Sequence, residues 1–328
     1  MKTYFPSINF LRGLAAMMVC VFHFFNFSTV WGFLFEPTDL IASTTKLGVN
    51  GVFIFFVISG FVIPMSLYKA KFKIIHLHRF LFRRFVRVEI PYLLSIVLIL
   101  IVSYGVARLF YWPFNFDPFQ FLLHIVYLIP FTNYNWYNEI YWTLAIEIQF
   151  YLLIALLYLL IKNDVKIIKI GALLAFGLSA LLIESHSLVF FYSPIFLLGI
   201  TSFLIKTKQL NNIEGIALLT LFFGETIWIH SFTIALFSVL TIALIHSAEI
   251  NNRVTNFFGE ISYSLYLLHG LVGGQLLFLL GPKVSSEAGK IGLVVLALIC
   301  SITAATIFNW MIEKPSQRLS KKIRINKD

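Results

Sequence analysis

Charge is what this sequence has least of. Only 12% of its 328 residues are Asp, Glu, Lys or Arg, about half the share usual in soluble domains. Acids are the scarcer sign, 15 against 25 bases, for a formal net charge of +10. Cysteine is nearly absent. Cys20 and Cys300 each lie inside an apolar run, which excludes a disulfide framework and any metal-ligand spacing, so no metal is expected. Internal repeats and low-complexity tracts are missing too. What fills the space is hydrophobic side chain: 59% of the chain, including 36 phenylalanines, for a mean hydropathy of +0.88. A soluble protein of this size has too little interior to hide that much apolar surface. A soluble enzyme, a secreted disulfide scaffold and a disordered chain are therefore excluded. A polytopic, all-α membrane protein is left, with lipid as the solvent of its surface. The +10 then speaks of topology, and no nucleic-acid partner is expected.

A spanning helix needs about 20 mostly apolar residues. That length predicts about ten transmembrane helices, near 8–29, 47–68, 90–111, 139–161, 166–184, 187–205, 213–229, 231–248, 257–280 and 290–312. The first run carries Arg12 and lacks a small-residue cleavage site, so it reads as a span and not a signal peptide. Residues 113–138 are aromatic and hold Pro113, Pro118 and Pro130. They are too broken for a span and too apolar for a solvated loop. A re-entrant or surface-lying segment covering a cavity is expected there, since such backbone must be buried in protein or face water. With the N-terminus in the cytoplasm, 20 of the 25 cations fall inside and Lys46, Arg108, Lys283 and Lys290 outside. Both termini are then cytoplasmic, by the positive-inside rule. Residues 1–328 are expected to form a single membrane domain with a short basic tail, the membrane lipids being its immediate partners.

Ionisable groups inside a membrane are costly and mark function. Arg12 and His23 are 11 residues apart, three turns plus about 20°, so they share a helix face about 16 Å apart. Asn9, Arg12, Ala16, Val19, His23 and Asn26 make one stripe. Alone, Arg12 reads as a headgroup anchor and His23 as an interhelical bond. Together on one face they suit a cavity. Thr143, Glu147 and Tyr151 repeat at four-residue spacing, again on one face. Ser262, Tyr266 and His269 follow the same logic, whereas Glu225, Glu260 and His246 read as interfacial. Between Lys69 and Arg87 stand seven cations and no acid. Positive-inside bias and anionic lipid account for such a loop in general. The spacing of Arg79, Arg83, Arg84 and Arg87, however, suits phosphate, which guanidinium forks grip.

These residues resemble the acyltransferase-3 family of membrane acyltransferases. Arg12-Gly13-Leu14-Ala15-Ala16 followed by His23 is similar to its first-helix motif, and Val52–Phe61 to its second. Arg84-Phe85-Val86-Arg87 resembles its paired arginines. Tyr141-Trp142-Thr143-Leu144 with Glu147, Phe150 and Tyr151, then Ile261–His269 and Glu313-Lys314-Pro315, resemble its later motifs in register. Phe53 and Ile148 depart from it, standing where relatives often carry a polar or acidic residue. The resemblance implies an enzyme, an O-acetyltransferase without a fused extracytoplasmic hydrolase-like domain, in the bacterial inner membrane. It would move an acetyl group from cytoplasmic acetyl-CoA, a co-substrate and not a tightly bound cofactor. The acceptor would be a sugar hydroxyl of a surface polysaccharide, such as lipopolysaccharide O-antigen, or its lipid-linked precursor. On this reading His23 is the general base or an acyl carrier, and Glu147 orients it. Arg12, Arg79, Arg83, Arg84 and Arg87 hold the CoA phosphates, with the pantetheine arm lying along the first-helix stripe. Thr143, Tyr151, Tyr266 and His269 serve the substrate or transition state. The competing expectation is a transporter or flippase for a lipid-linked glycan.

Overall fold

The computed structural model describes residues 6–26, 28–29, 32–36, 38–247 and 249–326. Its helices are α1 (Pro6–Phe25), α2 (Leu40–Thr45), α3 (Gly51–Lys69), α4 (Leu77–Leu109), α5 (Pro118–Ile125), α6 (Tyr141–Ile161) and α7 (Lys166–Leu182). They continue as α8 (Ser193–Lys206), α9 (Asn212–Ile229), α10 (Phe232–Ser247), α11 (Arg253–His269), α12 (Gln275–Leu280), α13 (Glu287–Phe308) and α14 (Lys314–Lys322). The sole sheet among the described residues is a two-residue ladder, Ser28–Thr29 against Gly32–Phe33. Two π turns, Gly270–Gly274 and Asn309–Glu313, join α11 to α12 and α13 to α14.

Each of the ten expected segments coincides with a helix. Seven helical stretches are long and apolar enough to cross a membrane: Pro6–Phe25, Leu40–Lys69, Ile74–Leu109, Tyr141–Ile161, Asn212–Ile229, Arg253–Lys283 and Glu287–Lys322. α8 and α10 are apolar but shorter. The chain is thus a multi-pass membrane protein. α3 and α6 are apolar over most of their circumference, the pattern of helices enclosed by other helices and lipid, apart from the few polar side chains they turn to one cavity.

Small residues decide which helices touch. A Cβ on Gly60 would lie 2.3 Å from the Phe196 carbonyl oxygen, and one on Gly199 would lie 2.2 Å from that of Val57. The α3 and α8 backbones are therefore in direct contact, as small-residue faces permit where no water drives helices together. α1 meets α11 the same way: a Cβ on Gly13 would sit 2.7 Å from the Phe258 Cβ. This second seam has a consequence for the polar stripe. Ala16 and Val19, midway between Arg12 and His23, are completely buried. The stripe is packed shut, and no open path runs along α1.

The 113–138 stretch is surface-lying, as its prolines and aromatics predicted. Asp117 caps α5, accepting from the amides of Phe119 (2.8 Å) and Gln120 (3.2 Å). One face of α5 exposes Phe119 and Leu122, and the other buries Leu123 and His124. The His124 Nδ1–H donates to the Gln120 carbonyl at 2.9 Å, and its Nε2 accepts from the Tyr137 amide at 3.0 Å. Burial holds this imidazole below its ordinary pKa. Tyr127 reaches inward to donate to Glu89 at 2.9 Å, and its ring stacks on Tyr92. The segment plugs the gap between α4 and α6. None of its residues lines the central cavity, so it buttresses that cavity and does not cover it.

Candidate active site

Two connected cavities enter the bundle from the end where α4 begins. The outer one, about 270 Å³, is lined by Asn9 and Arg12 of α1, Arg83, Arg84 and Arg87 of α4, and Lys321 of α14. Residues 83, 84 and 87 lie within one turn of α4, so their guanidinium groups share a side of that helix. Gln317, Ser320 and Glu260 complete the wall, Glu260 being paired with Lys314 at 2.9 Å. Arg79 lies further out and lines neither cavity.

The inner cavity, about 130 Å³, shares Arg12, Arg84 and Arg87 with the outer one and is otherwise walled by α3, α6 and α11. The arginines thus form a constriction between the two. The Arg84 guanidinium lies over the Tyr151 ring, 5.3 Å from its centroid, and over Phe80 at 5.7 Å. Such stacking holds a planar cation without neutralising it. Tyr151 donates to Glu147 Oε1 through a short hydrogen bond, and the Ser59 hydroxyl donates to the same oxygen at 3.3 Å. On the opposite wall Glu313, 1% exposed, accepts from the Ser264 amide (3.1 Å) and hydroxyl (2.5 Å), Asn309 Nδ2 (3.0 Å) and Gln317 Nε2 (2.8 Å). Four donors thus satisfy the lone pairs of this buried carboxylate. Glu313 and Glu147 are the two carboxylates that act electrostatically on Arg12, with Arg87 opposing them.

At its inner end the cavity stops at Thr143 and Tyr266. Thr143 donates to the Ile140 carbonyl at 2.9 Å and accepts from the Tyr266 hydroxyl at 2.7 Å. Behind Tyr266 comes a pair of imidazoles. His269 Nδ1 lies 2.8 Å from the Tyr266 carbonyl and 3.2 Å from that of Leu265. Its Nε2 is 3.1 Å from His23 Nδ1, which lies 2.9 Å from the Val19 carbonyl.

The predicted site residues therefore divide into two groups. Arg12, Arg84, Arg87, Glu147, Thr143, Tyr151 and Tyr266 share one cavity, and Arg83 joins them at its mouth. His23 lies beyond it, and Glu147 is not its partner: Glu147 bonds Ser59 and Tyr151, while His269 touches His23. The carboxylate that acts electrostatically on His23 is Glu139, just before α6. The sequence alone gives Glu139 no part and Lys321 only a place in the basic tail; Ser59, Ser264 and Glu313 stand there only within motifs, without a role. None of the five sits on a helix face whose period singles it out. His246 bonds Ser202 at 2.8 Å, an interhelical contact.

Compared with known families, residues 5–310 match the model of an acyltransferase domain. The chain belongs to the acyltransferase-3 family. Several Staphylococcus aureus relatives are described as candidate O-acetyltransferases. The one from strain COL is 30% identical over 326 residues, covering 81% of this chain and 50% of the relative. The chain thus spans about half the length of these curated relatives. A candidate acetyltransferase of Acidianus two-tailed virus is 23% identical over 297 residues, covering 83% of this chain and 84% of the relative. The peptidoglycan O-acetyltransferase of Listeria monocytogenes is 31% identical over 198 residues, covering 55% and 28%. No solved structure matches the chain significantly. As an acyltransferase-3 member it carries the family's paired arginines on the constriction, with Ser264 of one closing motif bonded to Glu313 of the other.

Proposed function

We propose that this chain is a membrane O-acetyltransferase that takes an acetyl group from cytoplasmic acetyl-CoA and delivers it to a sugar hydroxyl of an envelope glycan. One observation carries the reading: a basic outer chamber continuous, through shared arginines, with a narrow inner cavity that points at a histidine pair. The nucleotide end of CoA is a multiply charged phosphate ligand, and the outer chamber offers it Arg12, Arg83, Arg84, Arg87 and Lys321. The inner cavity suits a slim pantetheine arm, which enters between α3, α6 and α11 and not along α1. The thioester reaches His23 once the Thr143–Tyr266 pair, two rotatable side chains, parts. The 20 cations assigned to the inner side place the chamber's mouth in the cytoplasm and His23 toward the other face. The membrane is then the bacterial inner membrane.

His23 Nε2 accepts the proton of the sugar hydroxyl as that oxygen attacks the thioester carbonyl. The tetrahedral adduct collapses, the C–S bond breaks, and the thiolate leaves with a proton returned from His23. The glycan class follows the Listeria relative, whose name gives peptidoglycan as its acceptor. A surface polysaccharide or its lipid-linked precursor offers the same chemistry. The test is acetylation of envelope glycan in cells carrying wild type, His23→Ala or Arg12→Ala. Both variants should lose it at unchanged protein levels. Full acetylation in His23→Ala cells would remove His23 from the chemistry. Purified protein that neither binds acetyl-CoA nor releases CoA with any glycan would favour the transporter instead.

A further inference from the structure

We infer that His269 is the positioning residue of the site: together with the Val19 carbonyl it holds the Nδ1–H tautomer of His23, and it fixes the direction of the free lone pair. The inference deepens the reading of His23 as the base and rests on it. Each imidazole brings its Nδ1 to a backbone carbonyl, His269 to Tyr266 at 2.8 Å and His23 to Val19 at 2.9 Å. A carbonyl oxygen only accepts, so a bare Nδ1 in either place would set lone pair against lone pair. Both Nδ1 atoms therefore carry the hydrogen. His269 Nε2 is then a bare acceptor, and the 3.1 Å contact is a bond donated by His23 Nδ1–H, shared with Val19. One assignment satisfies all three contacts, and it leaves the His23 Nε2 lone pair free. That nitrogen bonds no other described residue.

His269 thus stands where a carboxylate stands in a serine-protease triad, behind the base and on its far nitrogen. An imidazole suits this place better. An ionised carboxylate buried among Phe24, Leu265 and Leu268 would cost several kcal/mol in desolvation, whereas a neutral ring costs far less. His269 is itself immobile. It is 1% exposed, its Nδ1–H is held by its own helix, and the π turn that begins at Gly270 packs Gly273 against the Phe24 ring, 2.2 Å from where a Cβ would lie. Orientation of this kind acts on kcat and leaves donor binding unchanged, because the phosphate chamber is elsewhere.

The test is ¹⁵N NMR of the full chain, labelled at its histidine rings, in lipid nanodiscs, with His23 assigned by its loss in His23→Gln. The wild type should show His23 protonated at Nδ1 and bare at Nε2. In His269→Leu, which leaves the Val19 carbonyl as the one remaining acceptor, the Nε2–H form that free imidazole prefers should gain population. In His269→Gln, whose amide oxygen reaches the place of Nε2, the Nδ1–H form should return. CoA release from acetyl-CoA with solubilised peptidoglycan fragments should fall about 100- to 10,000-fold in kcat for His269→Leu, at unchanged KM, and recover to within about tenfold for His269→Gln. A wild type with Nε2–H on His23 overturns the inference whatever the activity, and so does a His23 signal indifferent to His269→Leu. A wild type with the expected tautomer but no CoA release sinks the catalytic reading of His23 alone.

Discussion

The two ends of α1 face the same problem with opposite means. At the Arg12 end the site is rich in charge: four arginines, a lysine and three carboxylates line two adjacent cavities of about 130 and 270 Å³. At the His23 end the groups in hydrogen-bond contact are neutral, and backbone carbonyls set their direction. A ligand that arrives from water with several phosphates is best gripped by cations that water still reaches. A proton that moves inside the bundle is best handled by groups with no net charge to desolvate. The distance between the ends keeps the cations away from the imidazole pair.

The sharpest way to break this contrast is to remove each end in turn. His23→Ala should lower kcat for acetyl-CoA-dependent acyl transfer by about 1,000-fold or more, within the range of a lost general base, with KM for the donor unchanged. A rise in KM of similar size would merge the two ends into one binding site. Next in size, Arg84→Gln with Arg87→Gln should raise KM for acetyl-CoA by about 100-fold or more, each lost charged hydrogen bond being worth about 1.5–3 kcal/mol, at constant kcat. Raising the salt should weaken wild-type donor binding more than that of the double variant.

The contrast also requires a stiff wall between the ends, and α3 supplies it. Gly199→Ala pushes a methyl onto the Val57 carbonyl. It should cost about 1–3 kcal/mol in thermal or denaturant unfolding of the protein in detergent, with both kinetic parameters degraded together. An unshifted transition would show that α3 and α8 part freely. The smallest effect is expected beside the His23 end, where His124 anchors residues 118–138. Burial keeps the folded imidazole below its ordinary pKa, so the opened segment binds the proton first as pH falls below about 6.5. The stability His124 lends is complete above that value and drains as pH drops toward the folded pKa. The protection of residues 118–131 relative to intrinsic amide exchange should therefore fall from pH 8 to pH 5, and this dependence should vanish in His124→Phe. Flat protection in the wild type would mean that the segment is held by other contacts.

Much of this was legible in the residues. The apolar runs announced an all-helical membrane protein, seven of whose helical stretches are long enough to span, and the four-residue rhythm of Thr143, Glu147 and Tyr151 put them on one wall of the cavity. Arg84 and Arg87 followed from spacing in the same way. What was not legible was anything decided between helices. Periodicity places Arg12 and His23 on one face, but neighbouring helices bury Ala16 and Val19 and close that face midway, and no property of α1 alone reveals it. The partner of His23 is 246 residues away, and that of Ser264 is 49 away across a π turn. Glu147 was paired with His23 because both were intramembrane ionisable groups. Its neighbours instead are a tyrosine one turn on and a serine of α3.

The π turn after His269 carries one more meaning. A wide turn accommodates one residue more than a regular helix, so everything downstream is rotated by about 100° relative to an uninterrupted rod. Up to His269 the rod packs against both α1 and α13; after it, Gln275–Leu280 keeps α13. The hinge at which the rod leaves α1 is one amino acid deep. Deleting one residue from Gly270–Gly274 would leave every side chain of the site chemically intact, yet it would turn the supporting half of the rod away from the half that holds the histidine.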